Sequence, residues 1–121
     1  MNIKAAIFAT IATLPIEKVA VPEFGEGVEL RISVMSGAQR EAFENHWRDI
    51  STKDKTLVNM GFGVCLLIHC VVDEQHNPVF SPDDFSELMK VNSVVLGRLS
   101  KIALKVNHLL NDKIEDIEKN S

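Results

Sequence analysis

The chain has 121 residues, 45% hydrophobic and 25% charged. That suits one soluble domain with a core of its own and excludes wholesale disorder. A net charge of −4, from 17 acidic and 13 basic residues, excludes a chain-wide nucleic-acid footprint, which needs a basic excess. The two cysteines, Cys65 and Cys70, lie in an apolar run; on a helix they point in different directions, so no disulfide between them is expected.

The N-terminus reads "MNIKAAIFATIATLPIEK": one lysine, then a largely apolar stretch. This outlines a signal peptide, but two threonines and the lack of a small-x-small cleavage site favour an amphipathic helix over residues 2–13. Ile3, Ile7, Ile11 and Leu14 form its single apolar stripe, and Pro15 stops it. No apolar run reaches the ~18 residues a membrane span needs.

Residues 16–22 and 28–34 read as strands. Val28, Leu30, Ile32 and Val34 alternate with Glu29, Arg31 and Ser33, the period of a half-buried strand. "EFGEG" between the two runs supplies a turn, so a hairpin is expected, with Pro22 confining its strand to an edge or an early end. A lone hairpin is marginal in water and must lie against something.

Ser36 with Gln39 forms a capping-box pattern. The following helix carries Ala42, Phe43, His46, Trp47 and Ile50 on one side and Arg40, Glu41, Glu44 and Arg48 on the other. Residues 55–72 are the most apolar segment, with two helical stripes. One is Leu57, Met60, Gly61, Val64, Ile68 and Val71; the other is Val58, Phe62, Cys65, His69 and Val72. A helix apolar on both sides is central in its fold or has a second partner. Gly61 and Gly63 count against a helix here, and a strand over 64–72 competes.

"DEQHNPVF" is a turn. Ser81, Pro82, Asp83 and Asp84 mark a short helix running to about Lys90. A longer helix spans 93–110, with Val95, Leu99, Ile102, Val106 and Leu109 inward, and 112–121 is a polar tail. The expected fold class is α+β and mostly α-helical: a small N-terminal antiparallel β-hairpin packed on about four to five helices. The single domain divides into an arm (1–15), the hairpin (16–35), a helical body (36–111) and the tail.

Candidate chemistry is thin. Cys65 and His69 stand at i, i+4, with Cys70 beside them and His76 beyond a turn. A structural zinc needs four ligands and a catalytic zinc three. With no two-plus-two spacing, the cysteines read as small buried hydrophobes and His69 as paired with a carbonyl. No catalytic residue, cofactor or metal is assigned, because a Cys–His pair here has no orienting acid and no glycine run has phosphate-loop spacing. Arg98, Lys101 and Lys105, with Lys90 near, form a basic stripe on the 93–110 helix. It reads as the wet side of that helix, the alternative being a small DNA-binding regulator.

The order and spacing of these signals resemble the tail assembly chaperones of long-tailed phages. Val19, Val21, Pro22, Glu23 and Gly25 fit that family's first strand, and Val28, Leu30 and Ile32 its second. Ser36, Gly37, Arg40, Phe43 and Glu44 fit its helix start. "VVDEQHNPVF" is similar to its mid-chain turn, with His76-Asn77 where the pattern prefers glycine, and "VNSVVLGRLSKIALKVNHL" to its closing helix. The resemblance implies a non-enzymatic role in the host cytoplasm, absent from the mature virion. Such proteins bind the apolar helical tape measure protein, recruit tail tube protein and self-associate into rings or spirals, with no membrane or nucleic-acid partner. On that reading Val58, Phe62, Cys65 and Val72 form the expected partner surface, and Val28, Leu30 and Ile32 the expected self-association edge.

Overall fold

The computed structural model describes residues 2–109. Helix α1 (Ile3–Ala9) starts at Asn2, whose side-chain oxygen accepts the Ala5 N–H at 3.2 Å. A 3-10 turn, Thr10–Thr13, carries the chain to β1 (Ile16–Ala20). A second 3-10 turn, Pro22–Phe24, and two left-handed glycines, Gly25 (φ +140°) and Gly27 (φ +77°), reverse it into β2 (Glu29–Ser33). A side chain would strain both positions, so the glycines make the hairpin possible. Val19 lies opposite Leu30 and Glu17 opposite Ile32. The alternation turns Val21 and Ile32, both fully buried, toward the helices.

Helix α2 (Gly37–Lys53) opens on the expected capping box: the Ser36 hydroxyl accepts the Gln39 N–H at 3.2 Å, and the Gln39 side chain accepts the Ser36 N–H at 2.8 Å. Phe43, His46, Trp47 and Ile50 face the body, but Ala42 is exposed. Helix α3 (Asn59–Cys70) follows, then the two-residue strand β3 (Val71–Val72). β3 pairs antiparallel with β2, placing Ile32 opposite Val71. The hairpin is thus part of a three-stranded sheet in the order β1-β2-β3. The competing strand over 64–72 shrinks to these last two residues, since the segment before them is helical. The proline-led start at Ser81 makes a 3-10 turn, Pro82–Asp84, before the short helix α4 (Phe85–Leu88). Helix α5 (Ser93–Val106) is capped by the Asn92 side chain and ends earlier than expected; the expected last residue of the 93–110 helix and the polar tail lie outside the described residues.

α3 is the central element. It packs between α2 and α5, with β2 across it, and Gly61, Gly63, Val64, Cys65, Leu66, Leu67, Ile68 and Cys70 are all buried. Most of both apolar stripes is therefore used inside the fold, and Val58 at the start of the second is exposed. Gly63 permits the closest approach: a Cβ there would lie 2.8 Å from the Ser100 Cβ of α5. The end of α5 is clamped to the sheet by Asn107. Its carbonyl oxygen accepts the Met35 N–H at 2.8 Å, and its amide donates to Ser33 O at 3.3 Å.

The sheet order places the residues of the expected self-association edge. Val28, Leu30 and Ile32 belong to or border β2, the middle strand, which pairs with β1 along Glu29–Ser33 and with β3 only at Arg31 and Ile32. Ile32 is fully buried. Among the described residues, the outer side of β1 has no strand beside it.

Candidate partner-binding surface

The expected partner stripe divides in two. Val58, at the N-terminus of α3, is 64% exposed, and Phe62 is half-buried. Cys65 and Val72 are core residues, at 0% and 3% exposure. They share a helical stripe with Phe62 by spacing, but α2 and the sheet cover that stripe past its first turn. Any partner surface here is limited to the exposed start of α3 and the clefts beside it.

Two clefts flank the α2–α3 pair. One, of about 400 Å³, is lined by Phe43, Trp47, Phe62 and Leu109, with Arg40, Glu44 and Arg48 contributing charge. Trp47 and Phe62 meet edge-on, their ring centroids 5.5 Å apart, and Phe62 meets Phe43 at 5.3 Å. These contacts join the three rings into one aromatic floor. The other cleft, of about 410 Å³, lies among Ile50, Leu57, Phe85 and Met89.

Among the described residues, four large exposed apolar side chains lie on α1 and the 3-10 turn that follows it. Ile3, Ile7, Phe8 and Ile11 are 72%, 58%, 57% and 68% exposed, and no residue of this helix is buried. The predicted stripe exists, but it faces away from the body. A helix of this length is not stable alone in water, and contiguous exposed apolar surface marks an interaction site. The arm continues directly into β1, so its apolar face and the free sheet edge adjoin along the chain.

The basic stripe is not a free surface. Arg98 grips Glu23 with both guanidinium nitrogens, at 2.7 and 3.0 Å, tying α5 to the turn after β1. The pairing holds the Glu23 carboxyl below the usual carboxylate range. Lys90 pairs with Glu87 at 2.9 Å. Lys101 and Lys105 are exposed, too few for a phosphate-tracking face.

The histidine and cysteine pattern resolves differently from its expected form. His69 is paired not with a carbonyl but with His46 of α2, whose Nδ1 is 2.9 Å from His69 Nε2 and 3.3 Å from Cys65 Sγ. Cys70 and His76 are not part of this group. Burial pushes the Cys65 thiol up to about 12. Burial, then the neighbouring His46, pulls His69 down to about 4, so both rings are neutral at neutral pH. Sequence spacing could not show His46 in this group, because it lies on another helix. His76 has a left-handed backbone, φ +65°, at the turn position where the resemblance prefers glycine.

The described residues contain no helix long and apolar enough to cross a membrane. A family profile described as "Phage tail assembly chaperone" matches residues 2–120. Among solved structures, the chain is similar to one titled "Structure of bacteriophage HK97 tail assembly chaperone". The two share 29% identity and a TM-score of 0.60, over 86% of this chain and 95% of that one. No curated protein matches the chain.

Proposed function

We propose a function from one premise: this chain belongs to the phage tail assembly chaperone family. Its role is non-enzymatic. It binds the apolar helical tape measure protein in the host cytoplasm, keeps it soluble, helps recruit tail tube protein, and is left out of the finished virion. It acts as a self-associated ring or spiral.

One observation carries the reading: the arm presents Ile3, Ile7, Phe8 and Ile11 to solvent and covers none of its own core with them. Such a face is paired in the working state, and its continuity with the unpaired edge of β1 favours a second copy as its partner. The self-association site therefore shifts from Val28, Leu30 and Ile32 to α1 and β1. The cleft of Trp47, Phe62 and Leu109, with exposed Val58 beside the α3 start, suits an apolar helix laid into a groove. Aromatic walls and charged flanks give contact that other tail proteins can displace. The DNA-regulator alternative has lost Arg98 to its bond with Glu23.

The test is solution mass by light scattering, for the protein alone and co-expressed with an apolar helical fragment of a tape measure protein. Assembly above the monomer, with the fragment held in a defined complex, supports the proposal. A monomer beside precipitated fragment overturns it. The triple change Ile3→Ser, Ile7→Ser, Ile11→Ser should yield folded monomers; if it assembles like wild type, the arm is not the contact.

A further inference from the structure

Three side chains with metal-ligating atoms converge where α2 crosses α3. His46 Nδ1 lies 2.9 Å from His69 Nε2 and 3.3 Å from Cys65 Sγ, and all three atoms fall within 4.8 Å of one another. Cys65 and His69 are one turn apart on α3, so they point the same way. His46 closes the triangle from α2, and Phe43 and Phe85 pack edge-on against its walls, with ring centroids 6.0 Å from His69 and 6.2 Å from His46. The thiol is fully buried, while both imidazoles are half-buried and lead outward.

We propose that His46, Cys65 and His69 form a binding site for a borderline-soft divalent cation, zinc above all. The donor set decides the class. Two imidazoles and a thiolate suit zinc, whereas magnesium and calcium need oxygen ligands. The geometry agrees. Zinc bonded to nitrogen at about 2.1 Å and sulfur at about 2.3 Å in a tetrahedron separates two nitrogens by roughly 3.4 Å and nitrogen from sulfur by roughly 3.6 Å. The observed 2.9 and 3.3 Å are shorter than this by roughly 0.5 and 0.3 Å, and the third pair, Cys65 Sγ and His69 Nε2, lies within 4.8 Å, so small side-chain adjustments close the site. Three protein ligands leave the fourth position to water on the side the imidazoles face. As the cation enters, the Cys65 S–H bond breaks, an S–metal bond forms, and one proton leaves to the buffer. Both imidazoles keep their total charge. The ion then staples α2 to α3 at the centre of the body. This inference does not depend on the chaperone reading.

The experiment uses the full chain, stripped with chelator and reductant and titrated with zinc or with cobalt(II) as a coloured stand-in. Binding of one ion per chain, release of one proton, a tetrahedral cobalt spectrum with a thiolate band, and a rise in melting temperature with zinc are the expected results. Cys65→Ala should abolish the thiolate band, and His46→Asn should weaken binding at least tenfold. Cys70→Ala, which removes the buried cysteine outside the group, should keep both. If either tested variant does not fold, the proton count and cobalt spectrum of the wild-type protein decide alone. No stoichiometric binding by wild type overturns the proposal, leaving a hydrogen-bonded trio. So does a thiolate band that survives Cys65→Ala or depends on Cys70.

Discussion

Replacing Gly63 with alanine tests the central packing of the fold. The new Cβ would lie 2.5 Å from Ser100 Oγ and 2.8 Å from Ser100 Cβ. Ser100 cannot swing away: it is 8% exposed, and its hydroxyl donates to Leu96 O at 2.7 Å. The methyl must therefore push α3 from α5, an overpacking cost of about 1–3 kcal/mol. Against this stands the helix-propensity gain of alanine over glycine, roughly 1 kcal/mol. Gly97, on α5, isolates that gain, because a Cβ there meets nothing within 4 Å. Gly97→Ala should stabilise by about 0.5–1 kcal/mol, and Gly63→Ala should fall about 1–3 kcal/mol below it. Urea unfolding with a shared slope measures both. Adding Ser100→Gly to Gly63→Ala removes the obstructing side chain, so the double variant should be more stable than the sum of its singles. Equal midpoints for Gly63→Ala and Gly97→Ala, or strict additivity in the double, would refute the close-approach account.

Asn107→Ala leaves the Met35 N–H without its acceptor and should cost about 1–3 kcal/mol in the same urea assay; Asn107→Asp keeps the acceptor and should cost less. His76→Gly relieves a left-handed backbone and removes a buried imidazole nitrogen that has no hydrogen-bond partner among the described residues. It should be neutral or stabilising by up to ~1 kcal/mol, whereas a loss above that would show that the ring's packing matters more. Acid should destabilise the chelator-treated protein by a traceable route. His69 is pulled from 6.5 down to about 4 in the folded chain, so below pH 6.5 the unfolded chain takes up a proton the native state resists. Stability is then fully present above about pH 6.5 and declines as pH falls toward 4. Half-exposure limits the loss to about 1–2 kcal/mol. His69→Gln should flatten that part of the pH–stability curve.

Local signals in the sequence were enough for most element identities. The Ser36–Gln39 capping box, the glycine turn of the hairpin and the period-two run of β2 each act within a few residues, so their physics is legible in one dimension. The mostly helical α+β class follows from them. The third strand follows only in part: a strand over 64–72 competes with the helix in the sequence, and β2 alongside makes only Val71 and Val72 into a strand. Spacing identifies the apolar stripes on α1 and α3 but cannot say what covers them. On α3 the neighbouring α2, α5 and β2 take up most of both stripes, and on α1 no residue is buried at all. The metal-ligating trio and the Asn107 clamp arise in the same way. His46 stands 23 residues from His69, and Asn107 stands 72 from Met35. No local pattern links residues that far apart; their meeting is fixed by helix crossings, where buried apolar area and close approach at Gly63 decide the packing.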